Sequence, residues 1–261
     1  MKLFFNQVSV SNTDCAAMYS AKEFASPTRS TVPLLDALRQ SPTPVFFDKL
    51  LSEAGMDVAV ADLRLEYQVK AGRGFGKASH TDLMAIQSGP PPRSLAIEAK
   101  WTEPRYETVA TWLRGGTSPE NRREVLRGWL EQITPYTKSQ IRPDQCEGLV
   151  YQMVHRAASA VAACKAGGHP SIAYLVFHDE QTGSPHLDNY RGDLCRLRSA
   201  IGNKERFPFF LTSVSIHPTD AFRELEGLKK GCSETSIAVR RALASGSPPL
   251  FDFSEATIEM I

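Results

Sequence analysis

What this 261-residue sequence lacks narrows its reading at once. Net charge is almost nil, with 30 Lys+Arg against 29 Asp+Glu and a formal balance of +1. Binding to nucleic acid through bulk positive charge is therefore excluded, whereas a local basic groove is not, because local field steers a ligand more than the total does. Cysteines are few and scattered, at 15, 146, 164, 195 and 232, with no C-x-x-C and no tight Cys/His cluster. That excludes a structural zinc and a disulfide scaffold and fits a reducing compartment. Long hydrophobic runs are missing too. None approaches the ~18 residues of a membrane span, and Leu3-Phe4-Phe5 is too short for a signal-peptide core. The expectation is a soluble, cytoplasmic protein with no membrane partner. No G-x-S-x-G occurs. The one Gly-rich stretch, Gly72-Arg73-Gly74-Phe75-Gly76-Lys77, has Ala71 and Ala78 where a Walker A loop needs Gly and Ser or Thr.

What is present is the composition of an ordinary globular protein, 42% hydrophobic and 23% charged, long enough for one large domain or two small ones. Residues 45–55 carry apolar side chains at 46, 47, 50, 51 and 54 before Gly55, which predicts an amphipathic helix. Three strand-like pieces follow, over 58–69, 82–87 and 94–101. In the third, Leu95, Ile97, Ala99 and Trp101 take one face, and Ala96, Glu98 and Lys100 the other. Residues 105–134 read as helical with a break at Gly115-Gly116, residues 148–166 as a buried helix, and 172–177 and 209–216 as central strands. The sum is one α/β domain whose first three strands can form an antiparallel meander.

Chemistry points to Asp82 and to Glu98-Ala99-Lys100. Glu98 and Lys100 share a strand face, and a hairpin return can set Asp82 beside them. Two adjacent carboxylates hold a hard divalent cation such as Mg²⁺ or Mn²⁺ through oxygen, and a lysine beside them stabilises the charge of a phosphoryl transition state. With 29 acidic residues and 11 lysines, one acidic-x-Lys triplet is the chance expectation, and Glu98-Ala99-Lys100 is the only one. Its setting adds weight: the charged pair interrupts an apolar strand, where buried charge is costly.

On Thr81-Asp82 and Glu98-Ala99-Lys100 the chain resembles the PD-(D/E)xK nuclease superfamily, with Thr81 where proline is common. The resemblance covers roughly 45–217. It implies a restriction-endonuclease-like αβββαβ core, with a mixed central sheet flanked by helices and with N- and C-terminal helical additions. The divisions would be an N-terminal extension at 1–43, a nuclease-like domain at 44–220 and a C-terminal helical tail at 221–261. It implies further a Mg-dependent endo- or exodeoxyribonuclease that hydrolyses phosphodiester bonds in nucleic acid, above all DNA. Asp82, Glu98 and the Ala99 carbonyl would be metal ligands and Lys100 would act on the attacking water. Glu66 would be a third carboxylate, ahead of Glu53. The alternative is a catalytically inactive nuclease-like fold serving as a DNA-binding or structural module.

In several branches of that superfamily a Gln on the following helix faces the site, which makes Gln152 a catalytic candidate. Arg156, four residues on, shares its face, and Arg156 and His155 are candidates for the nucleic-acid backbone, against the plainer alternative of polar groups at the edge of a buried helix. Arg73 and Lys77 would touch phosphates from a mobile Gly-rich loop. Residues 114–142 are locally basic, but Glu120, Glu124 and Glu131 are interleaved so that helical pairing with Arg accounts for them equally. A chain of this charge balance would engage DNA with the help of a homodimer interface, a partner subunit or a restricted substrate.

Overall fold

The computed structural model describes residues 2–180, 186–201, 206–244 and 246–261. Strands β3 (Asp62–Val69), β4 (Ser79–Gln87) and β5 (Arg93–Lys100) form the expected antiparallel meander, with Leu65 opposite Leu83 and Leu83 opposite Ile97. Helix α5 (Tyr151–Ala163) then crosses the sheet, so that β6 (His169–His178) lies parallel to β5, with Glu98 beside Tyr174. Strand β7 (Phe209–Pro218) is parallel to β6. On the opposite flank β1 (Lys2–Phe5) runs parallel to β3, and β2 (Val8–Ser9) pairs with β1. The outcome is one mixed sheet in the order β2-β1-β3-β4-β5-β6-β7-β8, where β8 is Phe251–Met260, antiparallel to β7.

Two apolar layers enclose this sheet. One packs α1 (Thr31–Arg39), α2 (Val45–Glu53), α7 (Asp220–Glu226) and α8 (Ser233–Ala242) on the face presenting Leu95, Ile97, Ala99 and Trp101. The other packs α3 (Val109–Arg114), α4 (Pro119–Ile133), α5 and α6 (Leu187–Ile201) on the face presenting Met84 and Ala96. The alternation along β5 decides this sorting: odd positions from Leu95 bury into the first layer, so Glu98 and Lys100 are turned toward the layer of α5. Among the described residues no helix is long and apolar enough to cross a membrane.

Three expectations need correction. The terminal additions are not purely helical: residues 2–9 and 251–260 supply β1, β2 and β8 to the common sheet. Strand β8 escapes notice because it is an outer strand with one solvated face, so charged Asp252, Glu255 and Glu259 dilute its pattern. Asp82 does not open its strand. Ser79, His80 and Thr81 precede it, paired with Val69, Gln68 and Tyr67. Strand β3 starts at Asp62 rather than Val58, because residues 58–60 form a turn in which Val60 N–H donates to Asp57 O at 3.2 Å.

Asp36, fully buried on α1, joins the two ends of the fold. Its carboxylate accepts from Leu250 N and Phe251 N at 3.0–3.1 Å, from Arg39 Nε at 2.9 Å and from Gln40 Nε2 at 3.1 Å. A buried carboxylate needs such saturation by donors to remain inside.

Candidate active site

Asp82 lies one residue beyond the Leu83–Ile97 pair, which brings its side chain to the end of β5. There Ala99 N–H donates to Asp82 Oδ2 at 2.8 Å. Glu98, only 2% exposed, is surrounded by donors. Its Oε1 accepts from Lys100 Nζ at 2.6 Å and from Gln152 Nε2 at 2.6 Å, and its Oε2 is ion-paired with Arg156. Gln152 and Arg156 reach the same carboxylate because they are one helical turn apart on the face of α5 laid over β5. Arg156 also donates to Thr81 Oγ1 at 2.8 Å and to Ser79 Oγ at 3.3 Å, so one guanidinium ties α5 to both strands of the motif.

A cleft of about 490 Å³ opens on this network, lined by Glu66, Asp82, Glu98, Ala99 and Lys100 together with Glu23, Arg29, Glu103, Arg105 and Tyr106. Glu66 enters it from β3 with φ +52°, a left-handed conformation that an L residue adopts at a cost of about 1–2 kcal/mol. Its Oε2 lies 3.1 Å from His80 Nδ1. Tyr106 is half exposed at the rim, with Lys100 Nζ 4.9 Å from its ring centre. Glu103 fixes the wall: its Oε1 accepts from Ser30 N and Ser30 Oγ at 2.7 Å and its Oε2 from Trp101 N at 2.9 Å.

The electrostatics are those of crowded charge. Burial, and after it the neighbouring Glu98 carboxylate, push Asp82 up to about 8. Burial would raise Glu98 as well, but Arg156 and Lys100 outweigh it and hold that carboxyl below the usual range. Burial works against the Lys100 ammonium, yet Glu98 and Asp82 keep it charged well past the ordinary lysine range. Glu66 is raised by burial, with its contact to His80 opposing. Two neighbouring groups of one kind thus differ in charge: Glu98 is paired with two cations and an amide donor, whereas Asp82 has no ion pair of its own among the described residues.

Of the sequence candidates, Glu66, Asp82, Glu98, Ala99 and Lys100 come together at the cleft, and Gln152 sits behind Glu98. The others fall elsewhere. Arg156 is buried in the network, so its guanidinium faces Glu98 rather than a nucleic-acid backbone. His155 turns away from Glu98: its Nδ1 is 2.8 Å from Ser79 Oγ, and burial, then the cations of Arg156 and Lys100, hold it well below the normal histidine range, uncharged. Arg73 is neutralised by Glu131 at 2.8 Å and Glu124 at 3.8 Å. Lys77 is exposed on the same loop. Glu53 ends α2 beside Gly55 and Arg93, outside the cleft. Glu103 and Tyr106 are additions; only their place a few residues beyond Lys100 hints at them.

The expected mobile loop is a seated one. A Cβ on Gly128 of α4 would come within 2.5 Å of Arg73 N, and one on Gly74 within 2.6 Å of Val125 Cγ2. The backbone of residues 72–74 therefore lies directly against α4, an approach that requires glycine at 74 and at 128.

A divalent cation fits the cleft in donor chemistry. The oxygens of Asp82, Glu98 and Ala99 form a hard set, and the raised Asp82 carboxyl is what a cation would relieve. Among the described residues no group of three or more His, Cys, Asp and Glu side chains is gathered to ligate an ion outright. Such a set suits Mg²⁺, which commonly takes one or two carboxylates and keeps several waters.

The chain belongs to a family described as a domain of unknown function (DUF6946), whose profile matches residues 9–213. No curated protein and no solved structure matches it.

Proposed function

We propose that this chain is a metal-dependent nuclease of the PD-(D/E)xK kind, hydrolysing phosphodiester bonds in nucleic acid, with DNA the first substrate to try. The observation that carries the reading is the meeting of Asp82, Glu98 and Lys100, with Glu66, in one cleft from three consecutive strands. The order α2, β3, β4, β5, α5, β6, with α3 and α4 inserted before α5, supports a restriction-endonuclease-like core.

In this reading Asp82, Glu98 and the Ala99 carbonyl would hold Mg²⁺ or Mn²⁺, with Glu66 as an outer carboxylate. Bound there, the ion would supply positive charge to a phosphodiester and acidify a water. Lys100 acts as a fixed cation rather than a proton acceptor, because Glu98 and Asp82 keep it protonated. Its ammonium, 2.6 Å from Glu98, can meet negative charge that develops on a phosphoryl oxygen. Gln152 and Arg156 are positioning residues that hold the Glu98 carboxylate in one orientation.

The test is cleavage of supercoiled plasmid and single-stranded DNA with Mg²⁺, Mn²⁺ or EDTA, with Asp82→Ala and Lys100→Ala beside the unaltered protein. Metal-dependent cutting lost in both variants supports the reading, and equal cutting by Lys100→Ala would remove that residue's role. One observation favours a second reading, an inactive nuclease-like module: the Glu98 carboxylate already has three donors that a cation would have to share. Calorimetric titration with Mn²⁺ separates the two, since only the first requires binding that depends on Asp82.

A further inference from the structure

The loop over residues 70–78 joins the two strands that carry Glu66 and Asp82. Each carboxylate lies three residues from the Val69–Ser79 pair that closes the hairpin, about 10 Å along the strand. Its shape is fixed. Asn121 of α4 takes both peptide groups of Phe75, accepting from Phe75 N at 2.7 Å and donating to Phe75 O at 2.7 Å. Gln132 Nε2 donates to Lys70 O at 3.0 Å, and Gly128 admits the backbone of Gly72 and Arg73.

On this fixed support Phe75 stands 88% exposed. The clamped backbone holds this ring in one place, where a flat partner could cover it and remove apolar surface from water. The surroundings say which kind. Phe75 shares a pocket with Lys70, Lys77, Trp129 and Tyr151 whose wall is more polar than apolar, unlike the broad apolar patch a protein partner needs; its loop neighbours Gly74, Gly76 and Lys77 are small or charged, and all are exposed. Arg73 is neutralised by Glu131, but Lys70 and Lys77 are exposed and have no ion pair among the described residues. An aromatic ring lining one pocket with two available ammonium groups has the chemistry that meets a base and its flanking phosphates.

We propose that this hairpin is a nucleobase platform: Phe75 stacks an unpaired base of a single-stranded nucleic acid, and Lys70 and Lys77 meet the adjacent phosphates. This rests on the nuclease reading and names its substrate class as nucleic acid with an unpaired segment beside the cut. The same ring carries no function in a chain that acts only on continuous duplex.

The experiment is fluorescence anisotropy of the full chain in EDTA, with a labelled single-stranded 20-mer, the same oligonucleotide carrying abasic sites, and a duplex. Phe75→Ala should weaken single-strand binding roughly tenfold, the effect of losing one stacked base. Phe75→Trp should restore it, and the abasic strand should bind both proteins alike. Lys77→Ala should weaken single strand and duplex together and flatten the salt dependence by about 0.7 in log–log slope on the single strand. Unchanged single-strand affinity in Phe75→Ala, with unaltered protein that binds in EDTA and cuts once Mg²⁺ replaces it, overturns the platform and leaves the nuclease standing. An equal loss on duplex and abasic strand overturns the stacking role. Unaltered protein that binds none of these strands in EDTA and cuts none with Mg²⁺ or Mn²⁺ overturns the nuclease reading and the platform with it.

Discussion

The cleft and the 70–78 loop are both rigid, and they are rigid for opposite reasons. In the cleft, side chains do the holding: Glu98, Lys100, Gln152 and Arg156 are almost fully buried and each group is kept inside by the others' charge or hydrogen bonds. In the loop, backbone is what is held: glycines at 74 and 128 let it lie against α4, the Asn121 and Gln132 side chains bond its peptide groups, and Phe75 and Lys77 are left to solvent. A network of mutual charge fails when one member is removed, whereas a seat built of glycines fails when an atom is added.

The sharpest break of the first kind is Arg156→Met. It leaves Glu98 buried with Lys100 as its one adjacent cation, and should cost about 3 kcal/mol in denaturant unfolding, the low end for removing one partner of a buried ion pair. Glu98→Gln on that background should recover part of the loss. Next comes Asp82→Asn, which keeps an acceptor for Ala99 N–H but removes the charge. The folded protein holds the Asp82 proton up to about pH 8, while the unfolded chain gives it up near pH 4. Folded protein binds more protons across that window, so Asp82 makes stability fall as pH rises from about 4 to about 8. Thermal melts should show Asp82→Asn matching the parent near pH 4 and exceeding it at pH 8, by ~2 kcal/mol once access of water to the cleft is allowed for.

In the loop the largest effect should come from Gly128→Ala. Its Cβ would meet Arg73 N at 2.5 Å, so loop and helix must part, at about 1–3 kcal/mol, with faster protease cutting within 70–78 as the local readout. Asn121→Ala should cost least, about 1 kcal/mol for two exposed hydrogen bonds, and should show in faster amide exchange at Phe75 with little change in global melting.

Much of the cleft was legible in sequence, and the reason is period. Alternation along 94–101 separates Glu98 and Lys100 from Leu95, Ile97 and Ala99, and four-residue spacing puts Gln152 with Arg156; both placements need only local geometry. That Gln152 and Arg156 converge on Glu98 depends on which strand α5 covers, and no local rule supplies it. The inward turn of Arg156 was missed for the same cause. The loop was misjudged because a run of glycines locally signals freedom. Its fixing partner, Gly128, lies more than fifty residues away, and its meaning exists only once α4 is in place. Strand β8 failed on another count: an outer strand needs just one apolar face, and a diluted pattern looks like a tail.

The Asp36 clamp also sets a timetable. Its amide partner Phe251 is separated from it by 215 residues, so a ribosome translates almost all of the sheet before this clamp can close. During that interval a carboxylate designed for a dry, saturated pocket has to stay hydrated. The apolar side chains of α1 and α2 that share its layer stay uncovered on that flank with it. Vectorial synthesis therefore cannot finish the N-terminal half of this layer first. Closure of that flank has to follow the emergence of the stretch through Phe251.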